Sequence, residues 1–290
     1  MPETGPRTLT PEPHTHPMLA ARFATLGSTN DTAARWACRD PGRWLRVTAD
    51  TQTAGRGRSH RAWSSPFGGL WMSLAAPLRT PMSGRGPLPL IVGLAVRDEL
   101  ESLFRRRGDD DAAIEIKWPN DVLLDGRKVA GILCEQAIPA APASADPPPA
   151  ILGIGVNANL HAADLGSDLR TPAATLRDTL GESIDPHGLA ATIGHAIAAE
   201  VERWDHHGLT ARTGDRLNQT LAWRGRRVEL RPTVRHCEDV TRFTLIGVDE
   251  SGRLSGVDDD DHRVAFDAGE IHQLTVCDDD RHPQPALASA

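Results

Sequence analysis

Long apolar runs are missing from this 290-residue chain. Nothing approaches the ~18–20 apolar residues that a membrane-spanning helix needs, so no membrane partner is expected. Cysteine is scarce: Cys38, Cys134, Cys237 and Cys277 lie far apart and form no Cys-x-x-Cys pair. That argues against a zinc site or disulfide framework and fits reduced thiols in a cytoplasm. The twelve histidines show no metal-ligand spacing. Residues 1–17 are rich in Pro, Thr and His and lack an apolar h-region, so a disordered tail is expected rather than a signal peptide. No internal repeat is found. Carboxylates are absent from residues 51–97, although the whole chain carries a formal charge of -7. The acidic balance argues against nucleic acid as the main partner, and a cationic segment within it suggests an anionic ligand.

That carboxylate-free window opens with Thr51-Gln-Thr-Ala-Gly-Arg-Gly-Arg-Ser-His-Arg-Ala-Trp63. Gly55 and Gly57 let backbone approach a ligand with no Cβ in the way. Arg56, Arg58 and Arg61 supply planar, permanently charged donors suited to carboxylates and phosphates. Taken alone, the stretch also reads as a solvated basic loop.

The length suggests one large domain and a small one, and 39% hydrophobic residues suffice for a core. Ser28-Thr29-Asn30 reads as a helix start, with Ala33, Ala34, Trp36 and Ala37 as an apolar stripe. Residues 45–49 and 69–75 read as strands. Leu88, Ile91, Val92, Ala95, Val96, Leu100, Leu103 and Phe104 recur at helical spacing, predicting a helix over residues 87–107. Residues 114–118, 122–124 and 128–134 read as strands, the last two joined by an Asp125-Gly126 hairpin turn. A two-residue turn sets Leu124 opposite Arg127, Leu123 opposite Lys128, and Asp121 opposite Ala130. Asp121, Leu123 and Lys128 then share a face, with Lys117 further along it. Residues 139–150 are a surface insertion rich in Ala and Pro, and 151–160 are another strand. Leu189, Ile193, Ile197, Val201 and Trp204 mark a second long helix. Beyond about residue 217, short strands at 227–230, 242–248, 253–257 and 264–266 suggest a small β-barrel.

Three segments must be read together: Gly55-Arg-Gly-Arg-Ser-His-Arg-Ala-Trp63; Lys117-Trp-Pro-Asn-Asp121 continuing to Gly126-Arg-Lys-Val-Ala-Gly-Ile-Leu-Cys-Glu135; and Gly153-Ile-Gly-Val-Asn157. In this order and spacing they resemble the biotin–protein ligases, also called biotin–[acetyl-CoA-carboxylase] ligases, from about Phe23 to the C-terminus. The resemblance implies an α/β (α+β) fold: a mixed-sheet catalytic domain of the biotin/lipoate ligase type over residues 18–216, with helices on one side. A small SH3-like β-barrel would follow over 217–278, then a disordered tail over 279–290. It further implies a two-step reaction, in which biotin and MgATP form biotinyl-5′-AMP and pyrophosphate. The acyl group then passes to one lysine of the biotin carboxyl carrier domain of an acyl-CoA carboxylase.

By the same resemblance Lys128, Arg58 and Arg56 are catalytic, and Ser28, Thr29, Asn30, Gln52, Gly57 and Gly131 join them around biotin. Gly55, Arg61, Trp63, Asn120 and Asn157 contact ATP or the adenylate, and Asp121 is a Mg²⁺ ligand. Hydroxyl and amide side chains suit a ureido ring, which offers one acceptor and two donors. Lys117 either contacts substrate or supports its strand. Trp63 and Trp118 are core aromatics or pocket walls. His60 stands where the family often has glycine, implying a stiffer loop and raising a ligase impaired in loop closure as one reading. No helix-turn-helix precedes Phe23, so no DNA-binding repressor role is expected. The resemblance leaves a cytoplasmic monomer or weak homodimer. A lipoate–protein ligase and a non-catalytic nucleotide- or nucleic-acid-binding module are the alternative readings.

Overall fold

Strand alternation lets one sheet serve two purposes. In β8 (Ala150–Val156), Ala150, Leu152, Ile154 and Val156 enter a large apolar core, whereas Gly153 and Gly155 face Asn30 and Trp63 on the other side. The structure, a computed structural model, describes residues 8–12, 17–137, 147–165, 171–232, 240–268 and 271–277, with backbone alone for 8–12, 60, 232 and 271–272.

Around β8 the main sheet runs β1 (Thr8–Glu12), β2 (Met18–Leu26), β3 (Trp44–Gln52), β4 (Leu70–Ala76), β8, β7 (Arg127–Gln136), β6 (Asp121–Leu124) and β5 (Ile114–Lys117). Only β2 and β3 are parallel, so the sheet is mixed. β1 falls within the expected disordered tail yet pairs along β2; the rest of residues 1–16 lies outside the described residues. The expected insertion joins β7 to β8, and its residues 138–146 are likewise outside them.

Helices α2 (Leu88–Arg105) and α4 (Pro186–His207) cover one face, and the apolar residues that predicted them are buried there. Asp185 caps α4 by accepting from the His187 amide. The expectation that all helices lie on one side is corrected by α1 (Thr29–Ala37). Its Ala33 and Ala37 pack with Phe23, Val47, Ala49 and Ile151 on the opposite face. The physical reason is that Phe23, Leu45, Val47 and Ala49 make this face of β2 and β3 apolar, and α1 covers it. Beside α1, Trp63 lies over Gly131 and Gly155 on that second face.

Past the short α3 (Leu176–Leu180) and α5 (Ala211–Thr220), a second sheet contains β9 (Arg227–Pro232), β10 (Thr241–Val248), β11 (Leu254–Val257), β12 (Arg263–Phe266) and β13 (Ile271–Val276). Its order is β12-β11-β10-β9-β13, antiparallel throughout. Sequence pattern showed four of these strands and missed β13. The texture change at Leu217 falls inside α5, and Val228, Leu230, Phe243 and Leu245 share one apolar cluster with Ile116 and Trp118. Among the described residues, no helix is long and apolar enough to cross a membrane.

Candidate active site

The β6–β7 hairpin sets the first group of charges. Its turn residues Asp125 (φ 50°) and Gly126 (φ 72°) are both left-handed, which a tight two-residue turn needs. Leu124 and Leu123 pair with Arg127 and Lys128 as predicted, but Val129 is then an extra residue, so Val122 pairs with Ala130. Asp121 therefore pairs with Gly131 rather than the predicted Ala130. The bulge buries both Val129 and Ala130 in the core and brings Gly131, rather than Ala130, opposite Asp121 on the cavity side. On the β5 side Asp121 pairs with Lys117. Lys128 Nζ lies 2.5 Å from Asp121 Oδ1. Lys117 is nearly buried, donates to Thr171 Oγ1 at 2.8 Å, and stands 5.0 Å from the Trp223 ring centroid. Burial lowers its pKa, Asp121 opposes that shift and Lys128 adds to it.

The Arg-Gly segment is a small hairpin of its own. Trp63 N donates to Gly55 O, Arg56 bridges Ala62, and Gly57 N donates to Arg61 O at 2.7 Å. Ser59 (φ 55°) turns its tip. The His60 side chain, on which a stiffer loop was expected, lies outside the described residues. Arg58 reaches Asn120 Oδ1 at 3.4 Å and donates to Ala268 O beyond β12, and burial lowers its pKa. Arg56 is taken by Asp31 and Glu135.

The hairpin and the main sheet enclose a cavity of about 390 Å³. Gly131 and Gly155, paired across β7 and β8, form its floor, and the Trp63 indole lies against them. A methyl group on Gly155 would sit 2.7 Å from Trp63 Nε1. Lys128 Nζ stands 4.9 Å from the Trp63 ring centroid. Trp63 Nε1 is buried with no hydrogen-bond partner. Such a donor is costly to leave unmade.

The opposite end of the cavity is lined by hydroxyl and amide side chains. Glu135 Oε2 accepts from Asn30 Nδ2 at 2.6 Å, which turns Asn30 Oδ1 toward Ser73 Oγ at 2.5 Å. Ser73 also meets Thr29 Oγ1 at 2.7 Å. Gln52 Oε1 accepts from Thr29 N at 2.8 Å and from Thr29 Oγ1 at 3.0 Å, while its amide nitrogen donates to Ser65. Ser28 is the α1 N-cap residue by position, but its hydroxyl makes no capping bond and instead lines the cavity.

The structure thus gathers Ser28, Thr29, Asn30, Gln52, Arg56, Gly57, Arg58, Arg61, Trp63, Asn120, Asp121, Lys128, Gly131 and Asn157 around one cavity. Gly55 is not among its lining residues and packs against Trp63 O and Ser65. Asn157 is buried, and its amide is spent on Lys128 O and Ala174 O. Sequence reasoning missed the roles of Asp31 and Glu135. Glu135 had a signal, since Gly131, Leu133 and Glu135 share a strand face. It also missed Gln273 and Leu274 on β13, which line the cavity from the second sheet. The donor set does not fit a protein-held Mg²⁺ ion. Asp121 is already paired with Lys128, and Lys117 and Arg58 also feel its charge. Among the described residues, the grouping with metal-ligand spacing is Asp258, Asp260 and His262, in the β11–β12 turn.

Comparison with known proteins matches residues 24–157 to the Biotin/lipoate A/B protein ligase family. The Biotin--[acetyl-CoA-carboxylase] ligase of Mycobacterium tuberculosis is 30% identical over 255 residues, covering 87% of each chain. Its counterpart in Paracoccus denitrificans is 30% identical over 72% of this chain and 82% of that protein. The Bifunctional ligase/repressor BirA of Bacillus subtilis is 34% identical over 64% of this chain. This chain spans only about half the length of such repressor relatives, 54% for Bacillus subtilis and 47% for Escherichia coli. Among solved structures, the biotin protein ligase from Aquifex aeolicus in complex with biotin and ATP shares the fold. The TM-score is 0.71 at 22% identity, over 91% of this chain and 100% of that one.

Proposed function

The chain belongs to the biotin protein ligases, within the biotin/lipoate A/B protein ligase family, and from that premise we propose that it activates biotin with ATP and transfers it to a carrier-protein lysine. One observation carries this reading: a single cavity joins a hydroxyl-and-amide end to a cationic end across a glycine floor. A ureido ring suits the first end, where Ser28, Thr29, Asn30 and Gln52 offer donors and acceptors. A carboxylate beside a phosphate suits the second, where Lys128, Arg58, Arg61 and Lys117 stand.

In the first step the biotin carboxylate oxygen attacks the α-phosphorus of ATP, a new acyl–phosphate bond forms, and pyrophosphate leaves. Negative charge gathers on the phosphoryl oxygens, and Lys128 and Arg58 are the preorganised cations that stabilise it. In the second step the amine of a carrier lysine attacks the acyl carbon, AMP leaves, and the amine's proton is lost. Trp63 closes over the chain of the bound acyl group, and its orphaned Nε1–H is satisfied by a ligand oxygen. No step assigned to this chain is routed through a metal. The acceptor is the biotin carboxyl carrier domain of an acyl-CoA carboxylase, by analogy with the names of the relatives.

Biotin-dependent exchange of labelled pyrophosphate into ATP, followed by biotin transfer to a purified carrier domain, tests the proposal. Exchange with lipoate alone would place the chain with the lipoate ligases instead. Steeply salt-dependent DNA binding without biotin-dependent turnover would favour a nucleic-acid module. The formal charge of -7 speaks against that module.

A further inference from the structure

Arg56 lines the cavity, yet its guanidinium is not offered to it. Nη1 and Nη2 donate to Asp31 Oδ2 at 3.0 Å and Oδ1 at 2.7 Å, and Nη2 also reaches Glu135 Oε2 at 3.3 Å. Asp31 lies in the first turn of α1, Glu135 near the end of β7, and Arg56 in the Arg-Gly hairpin. Three segments distant in sequence therefore meet at one side chain. The planar fork of arginine matches a carboxylate two bonds at a time, which gives direction as well as strength. Glu135 Oε2 simultaneously accepts from Asn30 Nδ2 at 2.6 Å.

We propose that Asp31 and Glu135 form an ionic latch that holds the Arg-Gly hairpin against α1 and β7 before any ligand arrives. Glu135 is its positioning residue, because one oxygen orients both the Asn30 amide and Arg56. Asp31 directs the guanidinium by its side-chain hydrogen bonds, Glu135 adds to this, and the Arg56 pKa is raised accordingly. To meet an anion in the cavity, Arg56 must leave two carboxylates, so a phosphate competes with the latch. The latch deepens the proposed function and rests on it for the nature of that anion.

Limited trypsin digestion of the full ligand-free chain tests the latch, with cleavage after Arg56, Arg58 and Arg61 followed by mass spectrometry. Cleavage tracks the open population when reclosing is fast. Asp31→Asn and Glu135→Gln are each expected to raise loop cleavage about fivefold at an unchanged melting temperature. Salt at about 1 M is expected to bring the unsubstituted protein to a similar rate, which a merely structural role would not do. Glu182→Gln removes a like charge from the Arg107–Glu182 pair and is expected to leave the loop unaffected. Loop cleavage of both latch variants at the unsubstituted rate overturns the proposal. So does equal acceleration by Glu182→Gln, or acceleration spread along the whole chain. Biotin-dependent pyrophosphate exchange on the same unsubstituted sample separates the two ideas. Absent exchange sinks the proposed function while the digestion still judges the latch; normal exchange with unaltered digestion sinks the latch alone.

Discussion

Lys128 Nζ lies 2.5 Å from Asp121 Oδ1, although across β6 and β7 Lys128 pairs with Leu123 and Asp121 with Gly131. The ammonium is held by its carboxylate on one side and by the face of Trp63 on the other. It is thereby fixed beside the glycine floor.

Replacing that lysine tests the cationic end. Lys128→Ala is expected to lower biotin-dependent pyrophosphate exchange by about 100-fold or more, the scale for removing one preorganised charge from a transition state. The fold is expected to survive at a cost of about 1–3 kcal/mol, since Asp121 loses a part-buried partner but keeps Lys117 nearby. Urea unfolding and the exchange assay measure the two effects separately, and near-normal exchange would remove Lys128 from its assigned role.

Trp63→Phe separates the indole ring from its N–H. The ring that covers Gly131 and Gly155 is largely retained, and the buried orphan donor is removed. Ligand-free stability is therefore expected to hold or rise by about 1 kcal/mol. Affinity for biotinyl-adenylate is expected to fall about tenfold through the lost hydrogen bond, as read by calorimetry. Unchanged affinity would argue that the indole N–H is not used by the ligand.

Arg58→Gly breaks the contacts to Asn120 and to the Ala268 carbonyl. The hairpin tip then loses its tie to the second sheet, and the adenylate is expected to escape and modify bystander lysines. Mass spectrometry of a mixture of carrier domain and an unrelated protein measures this selectivity. Equal selectivity in variant and parent would show that this tie does not retain the intermediate.

Lys117 makes a pH prediction. Burial places its folded pKa below its unfolded value of about 10.4. Between those two values the unfolded chain binds more protons, so this residue makes stability rise with pH in that window. Urea midpoints measured across it are expected to climb more steeply in the parent than in Lys117→Met. Parallel curves would contradict the assignment.

Much of this was legible without coordinates. The periodic apolar residues of α2 and α4, the Asp125-Gly126 turn and six of the eight strands of the main sheet, all but β1 and β2, are local patterns, set by side chains a few positions apart. The three motifs carried 19 of the 30 residues that line the cavity. The Val129 bulge was not legible, because whether Ala130 joins Val129 in the core or faces the cavity depends on what packs beneath the hairpin. β13 lacked clear alternation, and α1 looked like any short amphipathic helix, with nothing to say which face of the sheet it covers.

The amino-acid sequence by itself determined most of the elements, the glycines of the floor, the supply of cations and the family to which the chain belongs. Only the tertiary structure decided where those cations point. Arg56 turns to Asp31 and Glu135, Arg58 to the second sheet, and Lys128 to Asp121 and Trp63. Charge is a property of a residue, but its direction is set by partners that the fold brings from distant parts of the chain.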